Sequence, residues 1–104
     1  MSNSRQGIVQ RRMNKFRTVY PYCWRCLFMG RLKEATETHH IHPVGMGGAP
    51  DNSLLHNKDN FITLCRECHR WAQMNPGMQA GYCKMLKLQE DEYYDKVNAI
   101  QELN

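Results

Sequence analysis

Residues 60–69 read NFITLCRECH, and this stretch decides how the chain folds. Its apolar run Phe61–Leu64 is short enough for a buried strand, and the Cys-x-x-Cys pair Cys65 and Cys68 follows directly. A second Cys-x-x-Cys pair stands at 23–26. Two such pairs can supply the four thiolates that a tetrahedral zinc ion takes. The spacing therefore predicts a structural Zn²⁺ that joins two distant segments.

Disulfides or a redox pair are the alternatives for these cysteines. A redox Cys-x-x-Cys motif needs one pair beside a βαβ pattern, whereas this chain has two pairs and no such pattern. Structural zinc contributes on the order of 10 kcal/mol at neutral pH, comparable to the whole stability of a domain. We therefore expect zinc, held by Cys23, Cys26, Cys65 and Cys68, to determine whether the chain folds. The fifth cysteine, Cys83, is expected to be a half-buried apolar residue on a helix.

Size and composition indicate one folded domain. The chain has 104 residues, 41% of them apolar and 23% charged, which allows a single thin core. No apolar run approaches the ~20 residues that span a bilayer, so we expect no membrane contact. Residues 1–6 are polar and basic, and no apolar segment typical of a secretory signal follows them. These features predict a cytoplasmic protein.

Charge is distributed unevenly along the chain. The first 33 residues carry eight Lys and Arg side chains and no acid, whereas acids dominate from residue 90 onward. The net charge of +4 therefore hides a basic half and an acidic tail. A polyanion such as nucleic acid suits the basic half, and a solvated basic face without a partner is the alternative.

Sequence patterns around the cysteines predict a small α+β fold. The predicted elements are a helix over 7–20 that ends before Pro21, a strand over 36–41, a loop over 44–60, a strand over 61–64, a helix over 66–74 and one or two helices beyond Gly81. We expect a single domain made of a basic N-terminal helix or arm (1–20), a zinc-stapled core (21–75) and C-terminal helices (76–104).

Side chains capable of chemistry cluster within this frame. His39, His40 and His42 end the first strand, Asn60 precedes the second, and His69 lies on the following helix. Over about residues 20–75 the sequence resembles the HNH endonuclease family. The matching elements, in order, are Cys-x-x-Cys, His-His-Ile-His-Pro, a Gly-rich loop, Asn, a strand and Cys-x-x-Cys-His. A combined match of this kind is far more specific than any single motif. It is most similar to short phage and prophage members.

The resemblance implies a ββα-metal core, of treble-clef-like form, and a metal-dependent DNA endonuclease. His40 matches the general base that activates water, and His39 and His69 match the positions that bind a catalytic cation. Asn60 matches the residue that orients the base or pins the intervening loop. Many members carry Asp in place of His39, and a paired-imidazole site should accept Mn²⁺ or Ni²⁺ well and hold Mg²⁺ less tightly. The expected cation is Mg²⁺, Mn²⁺, Ni²⁺ or Zn²⁺.

The arrangement of the histidines on the first strand is left open. His39 and His40 point to opposite faces of a regular strand, so their joint use requires an irregular strand end. If the strand stays regular through Pro43, the pair in the site would be His40 and His42, with His39 outside. Gln73, four residues after His69, could touch the metal or a phosphate, and a solvated glutamine is the alternative.

DNA is the expected partner, and the resemblance implies a role in phage DNA processing, in some members beside terminase packaging proteins. Such a protein would act in the bacterial host cell. Candidate DNA contacts are Arg66, Arg70, Arg11 and Arg12, although surface arginines need no ligand. Two non-catalytic alternatives are a zinc module that binds nucleic acid and a zinc-stapled adaptor. Neither alternative requires three imidazoles and an amide at these spacings.

Overall fold

The computed structural model describes residues 5–42 and 57–103, with side chains from residue 7 onward. Its helices and strands are α1 (Arg5–Val19), α2 (Trp24–Phe28), β1 (Glu37–His40), β2 (Phe61–Leu64), α3 (Arg66–Met74), α4 (Pro76–Lys87) and α5 (Tyr93–Leu103). Short 3₁₀ turns, Lys58–Asn60 and Glu90–Glu92, precede β2 and α5. The described part of the chain is therefore a small α+β fold with a two-stranded sheet, as predicted.

The two strands pair antiparallel, with His40 opposite Phe61. All four side chains of β2 are buried, which explains why its sequence is a continuous run rather than an alternation of apolar and polar residues. Helix α1 covers one face of the pair, where the Thr38 hydroxyl donates to the carbonyl oxygen of Met13 at 2.9 Å. The sheet therefore lies in the core, and its ends carry the histidines.

Aromatic rings join two helices and the segment after α1 beside the first cysteine pair. The ring centroid of Tyr20 lies 5.3 Å from that of Trp24 and 4.8 Å from that of Tyr93. The Tyr93 hydroxyl accepts from the backbone N–H of Tyr22 at 2.8 Å and donates to its carbonyl oxygen at 2.9 Å. These contacts hold the segment between α1 and α2 against α5, and so position α2 with Cys26.

Several expected elements are confirmed, some with the predicted bounds and others with shifted ends. Strand β2 and helix α3 have the predicted bounds, and α1 ends at Val19, just before Pro21. The first strand is shorter than predicted, at Glu37–His40. Within the expected loop over 44–60, the structure describes residues 57–60, of which Lys58–Asn60 form a turn. The rest of that loop lies outside the described residues.

Helix was predicted from the apolar pattern beyond Gly81, within the segment 76–104 expected to hold the C-terminal helices. Helix α4 begins at Pro76, well before Gly81. Proline lacks a backbone N–H, but the first helical position needs none, so the residue that ends one helix can begin the next. None of the helices in the described ranges combines the length and hydrophobicity that crossing a bilayer requires.

Candidate metal centre and active site

Four cysteine thiols converge where α2 and α3 begin. The Sγ atoms of Cys23, Cys26, Cys65 and Cys68 all lie within 4.8 Å of one another, and all four residues are buried. The Sγ atom of Cys26 is 3.9 Å from that of Cys65 and 3.7 Å from that of Cys68. A tetrahedral zinc ion with Zn–S bonds of ~2.3 Å separates its sulfurs by about 3.8 Å. The donor set and its spacing therefore fit a structural zinc ion.

Each cysteine pair takes its geometry from a helix start. Cys23 and Cys65 are the N-cap residues of α2 and α3, so the second cysteine of each pair lies in the first turn. Backbone N–H groups there lack helical partners and stabilise thiolates. A hydrogen bond from Cys23 is the main cause that lowers the pKa of Cys68 to about 5, and burial raises the pKa of Cys26 to about 11. Binding of a divalent cation would deprotonate all four thiols.

Arg25 connects this centre to the surrounding side chains. Its Nη1 lies 3.5 Å from the Sγ atom of Cys68, and its guanidinium stacks 4.2 Å from the ring centroid of Trp71. Cys83 is 1% exposed rather than half-buried, and burial raises its pKa to about 12. It is not one of the four converging residues, so its thiol serves as a packed, protonated core group.

The alternation of β1 separates the adjacent histidines onto two faces. The ring of His40 meets the ring of Phe61 edge-on, with centroids 5.2 Å apart. His39 lies on the other face, where its ring centroid is 5.0 Å from that of His69. A regular strand therefore brings His39 to α3 directly, because α3 covers the face that carries residues 37 and 39. The two rings therefore lie on opposite faces within β1, which ends at His40, before Pro43. That His39 rather than His42 completes a metal site stays a prediction.

The His39 imidazole is oriented by a buried glutamine on α4. Its Nε2 lies 3.0 Å from Oε1 of Gln79. The Gln79 amide nitrogen donates to the carbonyl oxygens of Ile41 at 2.7 Å and Pro76 at 3.1 Å, so its oxygen faces the histidine. An amide oxygen only accepts, and therefore Nε2 of His39 carries the proton and Nδ1 keeps the lone pair. Burial lowers the pKa of His39, which favours this neutral form.

A carboxylate from β1 holds the second imidazole. Nδ1 of His69 contacts Oε2 of Glu37, which leaves Nε2 as the nitrogen that His69 can offer to a cation. A carboxylate on the far nitrogen is a common partner of metal-binding histidines. Within the described ranges, the four cysteines are the only group of three or more His, Cys, Asp or Glu residues whose ligand atoms lie close enough to hold one ion. A cation between His39 and His69 would therefore need further ligands, from water, from substrate or from residues outside the described ranges.

Asn60 pins the chain immediately after β1. It is 4% exposed, and its Oδ1 accepts from the backbone N–H of His42 at 2.9 Å while its Nδ2 donates to the His42 carbonyl oxygen at 3.2 Å. The Asn60 carbonyl oxygen also accepts from the N–H of Ile41 at 2.8 Å. These bonds fix the direction of the backbone next to His40.

The remaining candidates lie at the surface or at the margin of the site. His42 is half-buried. Gln73 is exposed; the glutamine that touches a site histidine is Gln79. The four arginines that sequence analysis names as candidate DNA contacts are all exposed: Arg11, Arg12, Arg66 and Arg70.

Two residues of the site, Glu37 and Gln79, were not predicted from the sequence. Strand alternation could have found Glu37, because residues two apart share a face and His39 was already a candidate. No local signal marks Gln79, whose partner His39 is 40 residues away along the chain.

The geometry agrees with the one comparison that gives a match. The family model described as HNH endonuclease matches residues 23–72. No curated protein and no solved structure matches the chain. The matched segment runs from the first cysteine ligand through both strands into α3, and it contains the four cysteines together with His39, His40, Asn60 and His69. Over residues 23–72 the chain is therefore similar to the HNH endonuclease family.

Proposed function

We propose that this protein is a metal-dependent DNA endonuclease that hydrolyses phosphodiester bonds, with His40 as the general base. The observation that carries the proposal is the end of β1, where His39 meets His69 on one face and His40 occupies the other. A phosphate lying across this strand end could contact groups from both faces. The HNH family match supports the same assignment.

His40 would take the proton of the attacking water. An imidazole can accept a proton near neutral pH, and a positioned base of this kind contributes roughly 10²–10⁴-fold to a rate. The His40 ring is braced by the buried Phe61, and the backbone beyond it is held by Asn60. Both contacts restrict where the imidazole can point. Asn60 is therefore a positioning residue in this scheme.

His39 and His69 would hold the catalytic cation. When bound, a divalent cation at this place stabilises negative charge on the phosphate and on the departing 3′ oxygen. Gln79 and Glu37 orient the two imidazoles through their other nitrogens. Imidazole ligands favour Mn²⁺, Ni²⁺ or Zn²⁺ over Mg²⁺. In this scheme β1, β2 and α3 form a ββα-metal core that the cysteine-bound zinc holds together.

Because the chain resembles short phage members of the HNH family, we also propose how it contacts DNA and in which process it acts. Exposed arginines on α1 and α3 (Arg11, Arg12, Arg66 and Arg70) would contact the DNA backbone, because phosphate is bound by such side chains without reading sequence. The role would be phage DNA processing, with terminase packaging proteins as partners.

A plasmid assay tests the proposed activity. Zinc-loaded protein is incubated with supercoiled plasmid in Mg²⁺, Mn²⁺, Ni²⁺ or Zn²⁺, beside His40→Ala and the neighbouring variant His42→Ala. We expect conversion to nicked or linear DNA with at least one cation, loss of that conversion in His40→Ala, and its retention in His42→Ala. No cleavage by the wild type with any cation would favour a non-catalytic zinc module, and equal cleavage by His40→Ala would exclude His40 as the base.

A further inference from the structure

A cleft lies on the side of the molecule where α1 faces the segment before β2. It has a volume of about 720 Å³, within the range of ~300–1,000 Å³ that is usual for small-ligand sites. Its lining comes from the second half of α1 with Tyr20 directly after it, from Asn57, Lys58 and Phe61, and from Glu90. The metal-binding histidines His39 and His69 are not part of this lining.

Cations and aromatic rings share the lining. Arg12, Lys15 and Lys58 contribute three positive charges, and all three residues are exposed. The one carboxylate among the described lining residues is Glu90, whose Oε1 lies 3.8 Å from Nζ of Lys87. The cleft therefore presents net positive charge to a ligand.

The floor of the cleft is apolar. Phe16 and Phe61 border it but are buried, at 7% and 1% exposed, so the half-buried Tyr20 and Val19, which is 44% exposed, are the apolar side chains that a ligand could contact. Burial and the hydrogen bond with Glu90 raise the pKa of Tyr20 to about 12, so this ring stays uncharged. Rings flanked by cations are the usual platform for single-stranded nucleic acid, because bases stack on the rings while phosphates contact the cations.

Phe61 connects the cleft to the strand end. Its ring lines the cleft and also meets the His40 ring at a centroid distance of 5.2 Å. A ligand in the cleft would therefore lie on the face of β1 that carries His40. The cleft and the general base would then act on neighbouring parts of one DNA strand.

We propose that this cleft binds one unstacked nucleotide of a DNA strand, with its phosphate on the cations and its base against Tyr20 and Val19. The inference rests on the proposed function and adds a substrate class: DNA with unpaired nucleotides is bound in preference to continuous duplex. A duplex backbone alone could use the cations, but its stacked bases would leave the apolar floor uncovered.

Fluorescence anisotropy tests this preference without any need for cleavage. Zinc-loaded protein, with no other divalent cation added, is titrated into a labelled single-stranded 10-mer, a blunt duplex of the same sequence and a poly-aspartate peptide. We expect the single strand to bind at least ~5-fold more tightly than the duplex, with little binding of the peptide. Equal binding of strand and duplex, or tight binding of the peptide, would overturn the proposal.

Matched lysine variants locate the binding. Lys15→Gln/Lys58→Gln removes two charges inside the cleft, and Lys84→Gln/Lys96→Gln removes two charges outside it. We expect the first pair to weaken single-strand binding at least ~10-fold and the second pair less than ~3-fold. Equal weakening by both pairs would indicate a diffuse basic surface and overturn the proposal. Normal single-strand selectivity in a protein that cleaves no DNA would instead uphold the cleft and refute the nuclease assignment.

An acidic substitution provides a second, independent variant. Val19→Glu introduces a carboxylate into the cleft, whereas Thr18→Glu introduces one on the neighbouring exposed position. We expect single-strand binding to fall at least ~10-fold in Val19→Glu and less than ~3-fold in Thr18→Glu, with circular dichroism spectra unchanged. Unimpaired binding by folded Val19→Glu would refute occupancy of the cleft.

Discussion

Removal of one thiolate tests whether the cysteine centre holds the fold together. Cys65 is 1% exposed, and its sulfur lies 3.9 Å from that of Cys26, within the spacing of a zinc tetrahedron. Structural zinc sites contribute about 10–16 kcal/mol at pH 7, or roughly 2.5–4 kcal/mol per thiolate if the contribution is shared evenly. We expect Cys65→Ala to lose zinc and to be unfolded, or to melt at least ~15 °C below the wild type.

Cys83→Ala is the matched control. Cys83 is also 1% exposed, but it lies outside the group of four thiols. Its loss removes one packed sulfur atom, so we expect a cost of about 1–2 kcal/mol and one zinc ion still bound. Thermal melts followed by circular dichroism, together with a colorimetric zinc assay on the denatured protein, measure both quantities. A Cys65→Ala protein that retains one zinc ion, or that melts no lower than Cys83→Ala, would refute the structural role of the centre.

Three further predictions concern the site and the core. Glu37→Gln should weaken Mn²⁺ binding by ~10–100-fold in isothermal titration, since it removes the carboxylate on His69. Asn60→Ala should lower the free energy of unfolding in urea by about 2–3 kcal/mol, because two hydrogen bonds to the His42 backbone are lost. Burial lowers the pKa of Lys87 to about 8, so the folded chain binds fewer protons than the unfolded chain between pH 8 and 10.5, and stability should rise with pH across that window.

Each of these predictions has a control and a result that would contradict it. Glu34→Gln removes an exposed carboxylate three residues before Glu37 and should leave Mn²⁺ binding unchanged; equal affinity in both variants would exclude Glu37. An Asn60→Ala protein as stable as wild type would show that the pinning bonds contribute nothing. The pH-dependent gain from Lys87 is at most about 3 kcal/mol. It should vanish in Lys87→Met and persist in Lys84→Met, and identical profiles in all three proteins would contradict it.

Local sequence signals were sufficient to predict strand β2 and helix α3. Strand β2 and helix α3 were predicted because an apolar run, a Cys-x-x-Cys pair and Asn75-Pro76 mark their ends directly. The cysteine centre was predicted for the same reason, since ligand spacing is a local property. Helix α2 was missed because a helix of five residues is too short for an apolar period to develop.

The arrangement of the histidines depends on packing between distant segments. Sequence alternation correctly separates His39 from His40, but it cannot say which face α3 covers. That face is settled by contacts such as Thr38 with Met13 on the α1 side and His39 with His69 on the other. Both join residues more than 20 positions apart, which no local pattern encodes.

Single-turnover cleavage by His40→Gly, with and without added imidazole, tests the role of the general base most directly. The substrate is a labelled oligonucleotide in excess zinc-loaded protein, in the cation that supports wild-type cleavage. We expect the variant to bind DNA normally, to cleave ~10²–10⁴-fold more slowly than wild type, and to recover part of the rate as imidazole replaces the missing proton acceptor. A His40→Gly protein that cleaves at the wild-type rate would contradict the assignment.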